Sequence, residues 1–123
     1  MRWGSFGAVL LVAAMATGCG GEPDGCIALD PAVAQAVVNG ATGNMTVRSH
    51  TGRAIKADSG VYYAAFRIDA AGSDEVGVWA LSAIDPPGEI RSVDGFAEQF
   101  TRWPAIDGAN GSASADDAKA CLD

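Results

Sequence analysis

Histidine is almost missing from this chain of 123 residues: His50 is the only one. Lysine is nearly as scarce, with Lys56 and Lys119 alone, and cysteine is limited to three positions. Apolar runs are short, since the longest, Phe6 to Met15, falls far below the ~20 residues needed to cross a bilayer core. Each scarcity excludes something. One histidine cannot supply a multi-histidine metal site, and a Ser-His-Asp or Cys-His nucleophile would rest wholly on His50. That residue follows Ser49 on a stretch read as extended, where adjacent side chains point to opposite faces. Neither GxGxxG nor a Walker pattern is present, so Gly40-Ala-Thr-Gly43 reads as a turn and not as a phosphate cradle. Asp107-Gly-Ala-Asn110 lacks the alternating oxygens and terminal Glu of a calcium loop. No catalytic set, metal or cofactor is expected on these grounds.

Acid outweighs base, with fifteen Asp and Glu against eight Lys and Arg and a net charge of −7. Such a surface repels phosphate backbones, which disfavours nucleic acid as a partner and favours neutral or cationic ones. The carboxylates are scattered. Asp74-Glu75 and Asp116-Asp117 read as a solvated turn and a helix start, where negative charge is favourable.

At the N-terminus Arg2 precedes the apolar run, and Ala16-Thr17-Gly18-Cys19 follows it. A basic region, an apolar region and a small-residue cleavage zone make a signal peptide. The last four residues resemble the lipobox of bacterial lipoproteins, with Ala16 where Leu is usual. The resemblance implies removal of residues 1–18, lipidation of Cys19 and anchoring at the outer face of the cytoplasmic membrane; several acyl chains on one residue anchor stably. Ordinary cleavage after Ala16 is the competing reading, because Ala14-Met15-Ala16 also fits. Removal of the signal takes away Arg2 alone among the charges, so the mature chain is more acidic still. If Cys19 carries lipid, Cys26 and Cys121 remain at the two ends of the mature chain, in a compartment where disulfides persist. They are expected to pair; two free buried thiols are the alternative.

Residues 19–25 read as a flexible tether and residues 26–123 as one domain. Asp30-Pro31 starts a helix carrying Val33, Ala36 and Val37, closed by Gly40. Met45 to Ala57 reads as one strand broken by a bulge, or as a short hairpin. Val61 to Asp69 is the strongest strand, with Tyr62, Ala64, Phe66 and Ile68 on one face and both faces at least partly covered. A loop of about five residues, Ala70 to Asp74, leads back into Glu75–Leu81, and Asp85-Pro-Pro-Gly88 is a further turn before a short edge strand at 89–93. Phe96, Phe100 and Trp103 share one face of a helix ended by Pro104. Ser114 with Asp117 forms a capping box for a last helix through Cys121. The expected fold class is therefore α+β: an antiparallel sheet of three to four strands packed by an N-terminal helix and two C-terminal helices.

Aromatics build both cores and recognition surfaces. Phe96, Phe100 and either Phe66 or Trp79 are assigned to the core, while Tyr63 and Trp103 are the candidates for an exposed recognition surface. The stretch from Val61 through Leu81, with Ser92 to Pro104 and the terminal cysteines, resembles small exported actinobacterial proteins of unknown function. Abundant Ala and Gly with few Lys fit a high-GC genome of that kind. The resemblance implies location and a cross-linked small domain, without an activity. A non-enzymatic binding domain held at the membrane is the leading functional expectation. A small hydrolase using carboxylates or His50, and an inhibitor or accessory subunit of another envelope protein, are the alternatives.

Overall fold

The structure, a computed structural model, describes residues 25–106 and 113–122. The signal peptide, Cys19, most of the tether and the 107–112 segment with Asp107 and Asn110 lie outside the described residues. In chain order the elements are β1 (Ile27–Ala28), α1 (Pro31–Val38), β2 (Met45–Val47), a 3-10 turn (Ser49–Thr51), β3 (Arg53–Lys56), β4 (Tyr62–Ala70), β5 (Ser73–Leu81), β6 (Ile90–Ser92), α2 (Gly95–Phe100) and α3 (Ala113–Ala120).

These strands make a six-stranded sheet in the order β1-β3-β4-β5-β6, with β2 also on β4, and every pairing is antiparallel. This corrects the expected three to four strands behind an N-terminal helix, since a strand comes first and the helices are short. β1 is two residues long, too short for alternation to reveal it, and only its pairing partner makes it a strand; β2, three residues long, is the first part of the stretch read as extended from Met45.

β5 occupies the whole of one edge of β4, so β2 and β3 share the other. Val47 pairs with Ile68 and Arg53 with Ala65, so the first chain spends six residues where β4 spends three. The surplus is the 3-10 turn. Met45 to Lys56 is thus one interrupted strand, the bulged form of the sequence reading. Between β4 and β5 the loop is two residues, not five: Ala71 and Gly72 have φ of 52° and 87°, and Ser73 and Asp74 already belong to the ladder. Positive φ at both central positions is the mirror-image turn whose twist matches a hairpin, and Gly72 adopts it without steric cost.

Alternation along β4 sorts two layers. Ala64, Phe66, Ile68 and Ala70 join Trp79 and Leu81 of β5 beneath Val33, Ala34 and Val37 of α1. Ala65 joins Val78, Ala80 and Val93 beneath Ala115 and Ala118 of α3. Both faces are covered. Asp30 precedes α1 with extended backbone as expected but makes no side-chain cap bond. α3 starts one residue ahead of Ser114, which lies inside the helix and is not its cap.

Cys26 and Cys121 form a disulfide across a sequence separation of 95. The bond ties the chain just before β1 to the residue just after α3. In the chain-entropy account a loop of that length stabilises by up to roughly 4–5 kcal/mol, and ~2–4 kcal/mol is typical.

Candidate functional site

The segment 92–103 runs from the end of β6 through α2 and carries three buried polar side chains, Ser92, Asp94 and Thr101. Asp94 begins α2: its Oδ1 accepts from the Ala97 backbone N–H at 2.9 Å and from the Val78 N–H at 3.3 Å. One carboxylate oxygen therefore satisfies a helix start and a strand group together, which holds α2 against β5. The helix then ends at Phe100, because Thr101 is extended at φ −134° and ψ 160°. The sequence reading carried this helix to Trp103. Pairing with another part of the chain overrides it: the Thr42 N–H donates to Phe100 O and the Arg102 N–H to Gly40 O, both across about sixty residues of sequence.

A buried polar pin secures the turn out of α2. The Thr101 hydroxyl donates to Ala97 O at 2.6 Å and accepts from the Trp79 indole N–H at 3.1 Å. Ser92, fully buried, donates its hydroxyl to Trp103 O at 2.9 Å. Buried polar groups that find partners in this way define one arrangement of the chain.

The aromatics of this segment do not sit as the helical spacing predicts. Phe96, assigned to the core by its i, i+4 spacing, is 39% exposed. Its ring stacks on Phe100, with centroids 6.4 Å apart and planes 4° from parallel. Trp103 is half-buried instead; its indole N–H donates to Val37 O at 2.9 Å, and a Cβ built on Gly40 would overlap its ring. Gly40 is needed there for close approach, not for a left-handed backbone. Tyr63 is half-buried in the opposite layer, against the Ala65–Val78 cluster. The sheet separates Tyr63 from Trp103, so they do not share one surface.

Between α2 and α3 lies an open groove of about 340 Å³, lined by Asp94, Gly95, Phe96, Gln99 and Lys119. Asp94 is its buried member, with a side chain only 7% exposed. Oδ2 of that carboxylate is buried and accepts no hydrogen bond. Its charged neighbour is the Lys119 ammonium, 3.6 Å away on a side chain 43% exposed, which is ion-pair distance without a hydrogen bond. Two other hollows lie elsewhere: one beside α1 near Ala34 and Val47, one by the β4–β5 turn near Asn44 and Asp69. Neither is lined by a buried charged group.

His50 is exposed on the 3-10 turn, which replaces the regular strand expected there. Asp74 lies within β5, not in a turn, and pairs with Arg48 at 3.6 Å on the surface. Among the described residues no three His, Cys, Asp or Glu side chains converge as a metal site, and no helix is long and apolar enough to cross a membrane. What the Asp94 groove offers chemically is a carboxylate oxygen in need of a donor beside an aromatic plate. Sequence reasoning placed Asp94 at a helix start but missed the groove, since Lys119 is 25 residues away in the chain and nothing local links them. Comparison with protein-family models, with curated proteins and with solved structures returns no match, and the role of the groove rests on its own geometry.

Proposed function

We propose that the chain is a bacterial envelope lipoprotein, anchored through Cys19 at the outer face of the cytoplasmic membrane, whose folded part is a non-enzymatic interaction domain. The anchor is supported by the lipobox-like Ala16-Thr17-Gly18-Cys19 and by a disulfide that suits an oxidising compartment. The observation that carries the interaction reading is Phe96. A stacked aromatic pair stands partly in solvent at the lip of a groove floored by a buried carboxylate, and aromatics so placed are the usual anchors of protein recognition.

The test has two parts. Intact mass of the chain extracted from membranes is expected to begin at an acylated Cys19. A photo-reactive amino acid at position 96 of the full chain is expected to capture a stoichiometric partner in intact membranes, whereas the same group at exposed Asp58 captures none. A chain beginning at Thr17 without lipid overturns the anchor. A hydrolytic activity abolished by substituting His50 or one carboxylate overturns the interaction reading.

A further inference from the structure

We propose that the groove between α2 and α3 receives an arginine side chain from a basic segment of a protein partner, its guanidinium lying against Phe96 and donating to Asp94 Oδ2 in place of Lys119. This rests on the interaction-domain reading above and names the chemistry of the partner.

Three features of the groove converge on that group. Asp94 is more than nine-tenths buried and its Oδ2 accepts no hydrogen bond, so the site holds an anionic acceptor that gains from any well-placed donor. Lys119 balances the charge from 3.6 Å but leaves the acceptor unmet; only the ammonium end of the pair is open to water, at 43% exposure, and with no hydrogen bond to hold it a donor of better geometry can take its place beside the buried carboxylate. Phe96 presents a partly exposed ring set parallel to that of Phe100, and a planar guanidinium both stacks on an aromatic face and donates in its own plane, which a lysine ammonium does not. Gln99, exposed on α2 and lining the groove, adds an acceptor at the rim. The chain as a whole is acidic, so a basic segment is drawn toward it by the field of the molecule.

The probe is a blocked Gly-Arg-Gly tripeptide, titrated into the full chain in detergent and followed through the backbone amides of Gly95 to Phe100. The arginine peptide is expected to move those amides, its citrulline counterpart to bind about tenfold more weakly, and Phe96→Ala to weaken the arginine peptide about fivefold. Lys119→Ala is expected to tighten it about threefold by removing the competing ammonium. Equal binding of the citrulline peptide, shifts confined to another part of the surface, or weaker binding in Lys119→Ala would each overturn the proposal. Capture of a partner from position 96 together with silence toward the arginine peptide would overturn the arginine assignment and leave the interaction reading standing.

Discussion

The two faces of the sheet are closed by different means. Beneath α1 the chain stacks Phe66, Ile68, Trp79 and Leu81, all fully buried, with Phe66 and Trp79 edge to face at 6.0 Å. Beneath α3 the buried residues are Ala65, Val78, Ala80, Val93, Ala115 and Ala118, none larger than valine. Apolar burial stabilises roughly in proportion to area, at about 25 cal/mol per Å², so the first face is held by its side chains. The second has less area to bury beneath a helix that, like α1, has only eight residues and is too short to persist alone. There the Cys26–Cys121 bond supplies what packing does not. The comparison teaches that the disulfide is placed where the core is thinnest.

Trp79→Ala attacks the rich face and carries the largest expected effect. It removes the biggest buried side chain and the indole donor to Thr101, and is expected to cost about 4 kcal/mol in urea unfolding. Joint replacement of Cys26 and Cys121 by alanine attacks the thin face and is expected to cost about 3 kcal/mol, with hydrogen exchange rising first in α3. A cysteine variant that loses more than Trp79→Ala, or exchange rising first in α1, would reverse the comparison.

Gly40→Ala sharpens it on the rich face, where a methyl would expel the Trp103 ring and break its bond to Val37 O; a loss of about 2 kcal/mol is expected from overpacking. Asp94→Ala removes the cap of α2 and the acceptor of the Val78 N–H, with an expected cost of about 1 kcal/mol. Lys119→Ala should change unfolding by about 0.5 kcal/mol, because the ammonium end of the pair is 43% exposed and makes no hydrogen bond to the buried carboxylate. A loss above 1 kcal/mol for Lys119→Ala would show that the pair holds α3 in place.

Legibility followed the range of the interactions. The face assignment along Tyr62 to Ile68 survives intact because strand alternation and burial on both sides leave a repeating mark in adjacent residues. The start of α1 at Pro31 was legible for a similar local reason, a residue with fixed φ and no donor to satisfy. The cysteine pair was reached by counting, with its geometry supplied by the fold. Phe96 and Trp103 were misplaced together. The sequence reading put Phe96 in the core and Trp103 at an exposed helix end, but Thr101 turns extended to pair with Ala41 and Trp103 leaves the helix. That change of backbone lays the Trp103 ring on Gly40, while Phe96, still inside α2, is 39% exposed.

By itself, then, the sequence determined the acidic character, the absence of a multi-histidine centre, the central hairpin strands and the start of the first helix, because composition, period and proline chemistry act within a few residues. Tertiary structure decided the rest: six strands in place of three or four, the two-residue turn at Ala71-Gly72, the early end of α2 and the meeting of Asp94 with Lys119. Each of those depends on backbone groups or charges brought together from distant parts of the chain, and an isolated segment carries no record of a partner it meets only once the whole domain has closed.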